Sequence, residues 1–230
     1  MCPDIAIKRY AAFRLWKDRI LIASPRSIAA VPSLSSRLRA QTAPLHWELE
    51  GLLGLPSSIR TRSDYLTWIC RFLGLYDPLE RIWSALPEWE ALGLALPRRG
   101  HTECLIKDLA ALGVDPYGVR RAAPAQLPNL PTFAHMLGGV YVLEGATLGG
   151  RVILRDVMAR VGPSIDGATH FFGGRGDAVT PMWQSFRVAL DSFGGRRPQD
   201  QGAVVEGAER AFRAMLSWFA LFCGDAVCLP

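Results

Sequence analysis

His46 is the histidine whose neighbours suit metal chemistry best. It lies in a segment with helical spacing, and Arg39, seven residues earlier, stands two turns away on the same side of that helix. A neutral imidazole can ligate iron through one ring nitrogen, and an arginine at this distance can reach a carboxylate on the same ligand. A single histidine on an apolar helix face is more often a core residue, so this pattern predicts a ligand only together with a second element.

The second element is a helix with glycines at unusual positions. Thr132–Val161 has the pattern of one long helix, and each interior glycine costs up to ~1 kcal/mol relative to alanine. Gly138, Gly145 and Gly149 share roughly one face of it. Such glycines let a large flat ligand approach the backbone of a kinked helix, or let a second helix pack closely on Gly145-x-x-x-Gly149. Spacing alone leaves both interpretations open.

The remaining histidines do not form a metal site by spacing. Each of them has at most one histidine, cysteine or acid three or four residues away, too few for a non-haem metal site, and we expect structural or solvated roles for His101, His135 and His170. His101 in particular is expected to be solvated. A carboxylate-bound iron in a helical bundle would need Glu-x-x-His pairs, which no glutamate of the candidate helices forms: Glu80, Glu103 and Glu144.

Composition limits the classes of function. The chain has 230 residues, of which 50% are hydrophobic, enough for one globular domain with a real core. Residues 1–31 carry a net charge of +4 and residues 32–230 only +1, which argues against a broad nucleic-acid surface. No window of 18 apolar residues predicts a membrane span. Five scattered cysteines without a Cys-x-x-Cys pair indicate a reducing compartment, and we expect a cytoplasmic location.

Periodicity predicts an N-terminal extension followed by an all-α domain. Residues 1–31 mix basic and apolar residues without the uninterrupted apolar core of a signal peptide, so we expect a loosely ordered extension; the domain is predicted to span 32–230. Apolar residues at steps of three and four, with no recurring alternation, predict six to eight helices. The expected boundaries are Ser33–Leu53 with a restart capped by Thr42 before Pro44, Ser63–Leu86, Thr102–Leu112, Thr132–Val161, Thr180 to Gly194, and Asp200–Phe222.

Two blocks of sequence together resemble a known family. Leu38–Glu50, which contains His46, is followed about 100 residues later by Tyr141–Gly150, and the pair is similar to the haem oxygenases, most of all to the bacterial type associated with phytochromes. The resemblance extends in order over residues 34–222. It implies the all-α haem oxygenase fold, in which haem lies between a proximal helix and a kinked, glycine-rich distal helix.

The resemblance also implies roles for individual residues. His46 matches the proximal iron ligand, and Gly145, Ala146 and Gly149 match the reactive, distal side of the haem. The expected haem-binding set is completed by basic, hydroxyl and glycine residues: Arg39, Thr42, Tyr141, Gly145, Gly149, Gly150 and Arg187. Ala146 stands where the animal enzymes have an aspartate, so protons would arrive through ordered water.

The activity implied is cleavage of haem to biliverdin, ferrous iron and carbon monoxide, with dioxygen and externally supplied electrons. The chain has no dinucleotide fingerprint or cysteine cluster, so a ferredoxin or flavoprotein reductase would donate the electrons, and a bacterial phytochrome would receive the biliverdin. Two alternatives stay open. One is a haem carrier or sensor on the same fold, and the other is a helical interaction protein in which the glycines only pack helices.

Overall fold

All regular elements in the described part of the chain are helices. The structure, a computed structural model, describes residues 32–84, 86–94, 100–174 and 176–222; the predicted extension at 1–31 lies outside them and stays a prediction. The all-α fold class is confirmed, since these residues hold eight α-helices joined by loops and short 3₁₀ turns: α1 (Leu34–Leu53), α2 (Arg62–Ser84), α3 (Glu88–Ala91), α4 (His101–Ala111), α5 (Phe133–Val161), α6 (His170–Gly173), α7 (Val179–Arg196) and α8 (Gln201–Ala220).

Helix α1 continues through its proline. The predicted restart at Thr42 is wrong, because Thr42 is buried inside the helix and its hydroxyl donates to the carbonyl of Leu38 at 2.8 Å. Pro44 removes one hydrogen bond, the one back to the carbonyl of Ala40. Ala40 and Pro44 are both exposed, so water can solvate that carbonyl. Burial of Leu38 and other leucines on the opposite face keeps the two halves of the helix in line.

Helix α8 packs most extensively on α5 and then on α1. At the crossing with α5, a Cβ on Gly138 would overlap the carbonyl oxygen of Val204, and a Cβ on Gly207 would overlap the carbonyl oxygen of His135. The two backbones therefore touch directly, and each helix contributes a glycine. The α8 stripe of Phe212 and other apolar residues, spaced by three and four, fills the core beside this crossing.

Two carboxylates, the partly exposed Glu80 and the fully buried Asp108, fix the N-termini of two helices. Glu80 of α2 accepts hydrogen bonds from the backbone and ring Nδ1 of His101, at 3.0 and 2.7 Å, and from the backbone of Thr102. Asp108 of α4 binds His170 in the same way, at 2.7 and 2.8 Å. A carboxylate satisfies N–H groups that the first turn of a helix leaves unpaired. The prediction that His101 is solvated is thus wrong, because its side chain is only 9% exposed.

Helix α7 runs past the glycines at which its end was predicted. Gly194 does not end the helix but lies buried against Leu34 of α1, whose Cβ is 2.9 Å from the point where a Cβ on Gly194 would lie. The helix continues to Arg196. Ser35 also joins α1 to α7, since its backbone N–H and hydroxyl donate to the two carboxylate oxygens of Asp191, at 2.7 and 2.9 Å.

One segment meets the length and hydropathy of a membrane span. Phe133–Ile165 contains an 18-residue window of mean hydropathy 1.2, of which 44% is buried within the protein. A core helix meets the same requirement, and α5 is packed against α8 along its first half. The segment is therefore weak evidence for a membrane span.

Candidate functional site

His46 lies partly exposed on α1, with one side of its ring fixed. Its side chain is 37% exposed, and the ring meets Phe212 of α8 edge-on with centroids 5.9 Å apart. Its Nε2 lies 3.6 Å from Oε1 of Glu50, one turn further along α1. An imidazole that ligates a metal through one nitrogen is commonly oriented by a carboxylate at the other. The position therefore provides an accessible ligand with an orienting partner nearby.

Gly145 and Gly149 expose the backbone of α5 on the face that Gly138 shares. A Cβ on Gly149 would meet only Ile153 of the same helix, with Cδ1 3.9 Å away. A Cβ on Gly145 would lie 3.6 Å from Cη2 of Trp183, an ordinary van der Waals distance. Within the part of the chain that the structure describes, no backbone of another helix packs at these two positions, in contrast to Gly138. The arrangement admits a flat ligand at the backbone.

Gly150 and Ala146 have different surroundings from these two glycines. A Cβ on Gly150 would lie 2.6 Å from the carbonyl oxygen of Phe172, so the missing side chain lets α6 approach α5. Ala146 is exposed to solvent. The structure therefore brings Gly145 and Gly149 together at one surface and directs Gly150 to a helix contact.

A tyrosine and two arginines from three helices meet near the glycines. Burial raises the pKa of Tyr141 to about 12, and the positive charges of Arg187 and Arg39 act in the opposite direction. Both guanidinium groups are thus close enough to the Tyr141 hydroxyl to interact with it electrostatically. Arg187 also lies at hydrogen-bond distance from the hydroxyl of Ser35, with Nη2 3.5 Å from Oγ. The region combines two cations with a phenol on α5.

The set of predicted residues divides into those that converge and those that do not. Arg39, Arg187 and Tyr141 lie close enough to interact electrostatically. Thr42, in contrast, is buried within α1, and its hydroxyl donates a hydrogen bond to the carbonyl of Leu38. Sequence reasoning gave no role to Glu50, Phe212 or Trp183. Glu50 could have been found from its spacing of four residues from His46. Phe212 could not, because its place beside the imidazole depends on how α8 packs on α1.

The described residues contain no group of three or more histidine, cysteine, aspartate or glutamate side chains that could hold a metal ion. Iron bound at His46 would therefore need most of its ligands from a non-protein group. A surface groove of about 510 Å³, lined by Leu92, Val188 and Arg196 among others, lies between α3 and α7 and includes none of the predicted site residues.

Comparison with known proteins identifies the family. The family model described as "Heme oxygenase" matches residues 32–220. The chain belongs to the haem oxygenase family. A crystal structure of the NO- and CO-bound haem oxygenase from Neisseria meningitidis is similar in fold, with a TM-score of 0.65 and 19% sequence identity over 85% of this chain and 96% of that chain. A comparison with curated protein sequences finds no matching relative.

The residues present fit the haem that gives the haem oxygenase family its name. Haem carries its own four nitrogen ligands, so it requires one imidazole rather than a protein metal cluster. His46 offers that imidazole, and Gly149 offers backbone without a covering side chain from another helix. Arg39 and Arg187 offer cations for the two carboxylates of haem.

Proposed function

We propose that this haem oxygenase family member cleaves haem to biliverdin, ferrous iron and carbon monoxide. The observation that carries the proposal is the contrast within α5: among the described residues, the backbone of α8 covers Gly138, only the edge of the Trp183 indole lies against Gly145, and no other helix lies against Gly149. A helix that needed glycine only for close packing would meet the backbone of a partner helix at all three positions. Bound haem supplies the iron chemistry, and the protein orients the haem and controls access to it.

His46 would hold the iron from the α1 side. Glu50 would accept a hydrogen bond from the imidazole nitrogen that does not bind the metal, fixing the ring orientation and raising its basicity as a ligand. Phe212 would limit rotation of the ring from the other side. Both effects favour a single geometry for the ligand.

Gly145 and Gly149 would leave room for dioxygen on the α5 side. Ala146 provides no acid there, so the protons that the reaction consumes would pass through water held by backbone groups and by the Tyr141 hydroxyl. Because the pKa of Tyr141 is raised to about 12, this hydroxyl keeps its proton at neutral pH and can donate a hydrogen bond. Arg39 and Arg187 would bind the haem carboxylates.

Hemin titration followed by reduction in air tests the proposal. We expect a saturable one-to-one Soret band, which decays into biliverdin absorption once a reductant is added. His46→Ala should lose the band of the ligated complex, and free imidazole should restore it in His46→Gly. The matched control is His170→Ala, which removes another half-exposed histidine, 48% exposed, outside the site. A His46→Ala variant that binds and cleaves haem as the wild type does would contradict the assignment.

Ala146 favours one second candidate, a haem carrier or sensor. Without an acid at this exposed position, proton delivery rests on water alone. A haem complex that is stable under reductant and air would support the carrier. A chain that binds no haem specifically would instead favour the helical interaction protein.

The electron donor is proposed to be a separate ferredoxin or flavoprotein reductase, and the biliverdin is proposed to supply a bacterial phytochrome. Turnover should depend on the added donor and fall with ionic strength if docking is electrostatic. Product formed in the presence of an apo-phytochrome should yield its red-absorbing form. Turnover without assembly of that form would contradict the phytochrome link alone.

A further inference from the structure

Trp183 covers part of the exposed backbone of α5. Its Cη2 lies 3.6 Å from the point where a Cβ on Gly145 would be, and its ring packs on Tyr141 with centroids 5.4 Å apart. Gly149, one turn further along, has no such neighbour from another helix among the described residues. The indole therefore forms a wall beside the α5 backbone at Gly145 and leaves the backbone at Gly149 open.

This wall is firmly supported. Phe186, which is fully buried, stacks under the indole with centroids 5.8 Å apart and planes 19° from parallel. Asp191 joins α7 to the N-terminus of α1 by two hydrogen bonds from Ser35, at 2.7 and 2.9 Å. Movement of the indole would break its stacking on Phe186 and its contact with Tyr141, and the Ser35–Asp191 hydrogen bonds hold the helix that carries it.

A cation lies one helical turn from the wall. Arg187 follows Trp183 by four residues on the same face of α7 and acts on the Tyr141 hydroxyl together with Arg39. A flat ring with carboxylates on one edge would therefore have that edge held by the arginines. Its neighbouring apolar edge would lie against the indole. Two contacts at different edges of a disc suffice to prevent it from turning in its plane.

We propose that Trp183 is a specificity-determining residue that fixes the in-plane orientation of bound haem. It would thereby decide which meso carbon lies next to the backbone of Gly145 and Gly149 and which biliverdin isomer forms. This inference rests on the function proposed above. If a smaller residue replaced Trp183, the contacts of the arginines with the haem carboxylates would permit a second orientation of the haem.

Proton NMR of the cyanide-inhibited ferric complex tests the inference without turnover, because the haem methyl shifts report the in-plane orientation. We expect one dominant set of methyl resonances in the wild type. In Trp183→Leu the minor orientation should rise about three- to tenfold, the range expected for loss of one aromatic packing contact. Isomer analysis of the biliverdin formed should show the same rise. Val188→Ala, a control on α7 at a position 70% exposed, should leave both unchanged.

The outcomes separate this inference from the function on which it rests. Identical methyl shifts and isomer composition in the wild type and Trp183→Leu would overturn the role of Trp183 while the activity stands. A wild type that binds haem in one orientation without cleaving it would refute the activity, and the NMR comparison would still decide the role of Trp183. Absence of haem binding would overturn both. Should Trp183→Leu fail to fold, Trp183→Phe gives the same test, since phenylalanine lacks the outer ring that carries Cη2.

Discussion

Gly138 and Gly145 lie two turns apart on one face of α5, and different neighbours occupy the space beside them. At Gly138 the backbone of α8 fills the space that a side chain would occupy. At Gly207 of α8, the backbone of α5 fills the corresponding space. At Gly145 the nearest neighbour is the edge of Trp183, at an ordinary contact distance. The same residue type thus serves a helix crossing at one end and an accessible backbone at the other. What distinguishes the two regions is the element that lies outside each glycine.

The largest change in the free energy of unfolding is expected where α5 crosses α8. Gly207→Ala places a methyl group on the carbonyl of His135, which neither helix can avoid without moving apart, and should lower the free energy of unfolding by about 3 kcal/mol. Urea denaturation followed by circular dichroism measures this. Gly202→Ala is the matched control, since a Cβ there meets nothing within 4 Å. Equal stability of Gly207→Ala and the wild type would mean that the crossing is not tight.

A substitution at the exposed glycine Gly149 of α5 should preserve or raise stability rather than lower it. Gly149→Ala removes the entropic cost of a helical glycine and should leave the free energy of unfolding unchanged or raise it by up to ~1 kcal/mol. The same methyl group would stand between haem and the backbone, so haem affinity should fall at least about tenfold. Hemin titration and urea denaturation of one protein sample measure both quantities.

Gly195→Ala, also with no atom within 4 Å of the new Cβ but on α7, should raise or preserve stability without changing haem affinity. A Gly149→Ala variant that binds haem like the wild type would show that this face of α5 is not the haem site, and the contrast with the crossing would lose its functional meaning.

A smaller effect on stability is expected at Tyr141, which lies between Gly138 and Gly145 in the sequence of α5. Its pKa is raised to about 12 by burial, whereas the unfolded chain loses this proton at about pH 10. The stability from this group is therefore fully present below about pH 10 and is lost as the pH rises towards about 12. Urea denaturation at several alkaline pH values should show a shallower decline for Tyr141→Phe than for the wild type. Parallel declines would contradict burial of the hydroxyl.

Tyr65 provides the control within the same experiment. Its hydroxyl donates to the carbonyl of Ala168 at 2.6 Å, and burial raises its pKa as well. Tyr65 lies on α2, and its pKa is raised by burial and by the charge of Asp108 rather than affected by the arginines that act on Tyr141. Arg187→Ala should therefore raise the pKa of Tyr141 further, because an opposing positive charge is lost, and leave the titration of Tyr65 unchanged. Tyrosinate absorbance follows both groups.

The six longer helices were predictable largely because each one carries a local signal, whereas the four-residue helices α3 and α6 were not predicted. Thr132, at which this helix was predicted to begin, caps α5 by accepting from the backbone of His135. Errors arose where a breaker residue was taken as a boundary. Pro44 and Gly194 each lie inside a helix that continues because packing outside the local segment compensates for the loss: burial of Leu38 on the far side of α1, and Leu34 against Gly194.

Sequence alone determined the all-α class, the pairing of a histidine segment with a glycine-rich helix, and the resemblance to the haem oxygenases. These depend on spacing along one chain, which periodicity records. Only the tertiary structure decided that Gly138 and Gly150 lie against the backbone of another helix, whereas Gly145 lies beside the Trp183 side chain and Gly149 beside Ile153 of its own helix. The physical reason is that a glycine specifies only the absence of a side chain. What fills that space comes from residues distant in sequence.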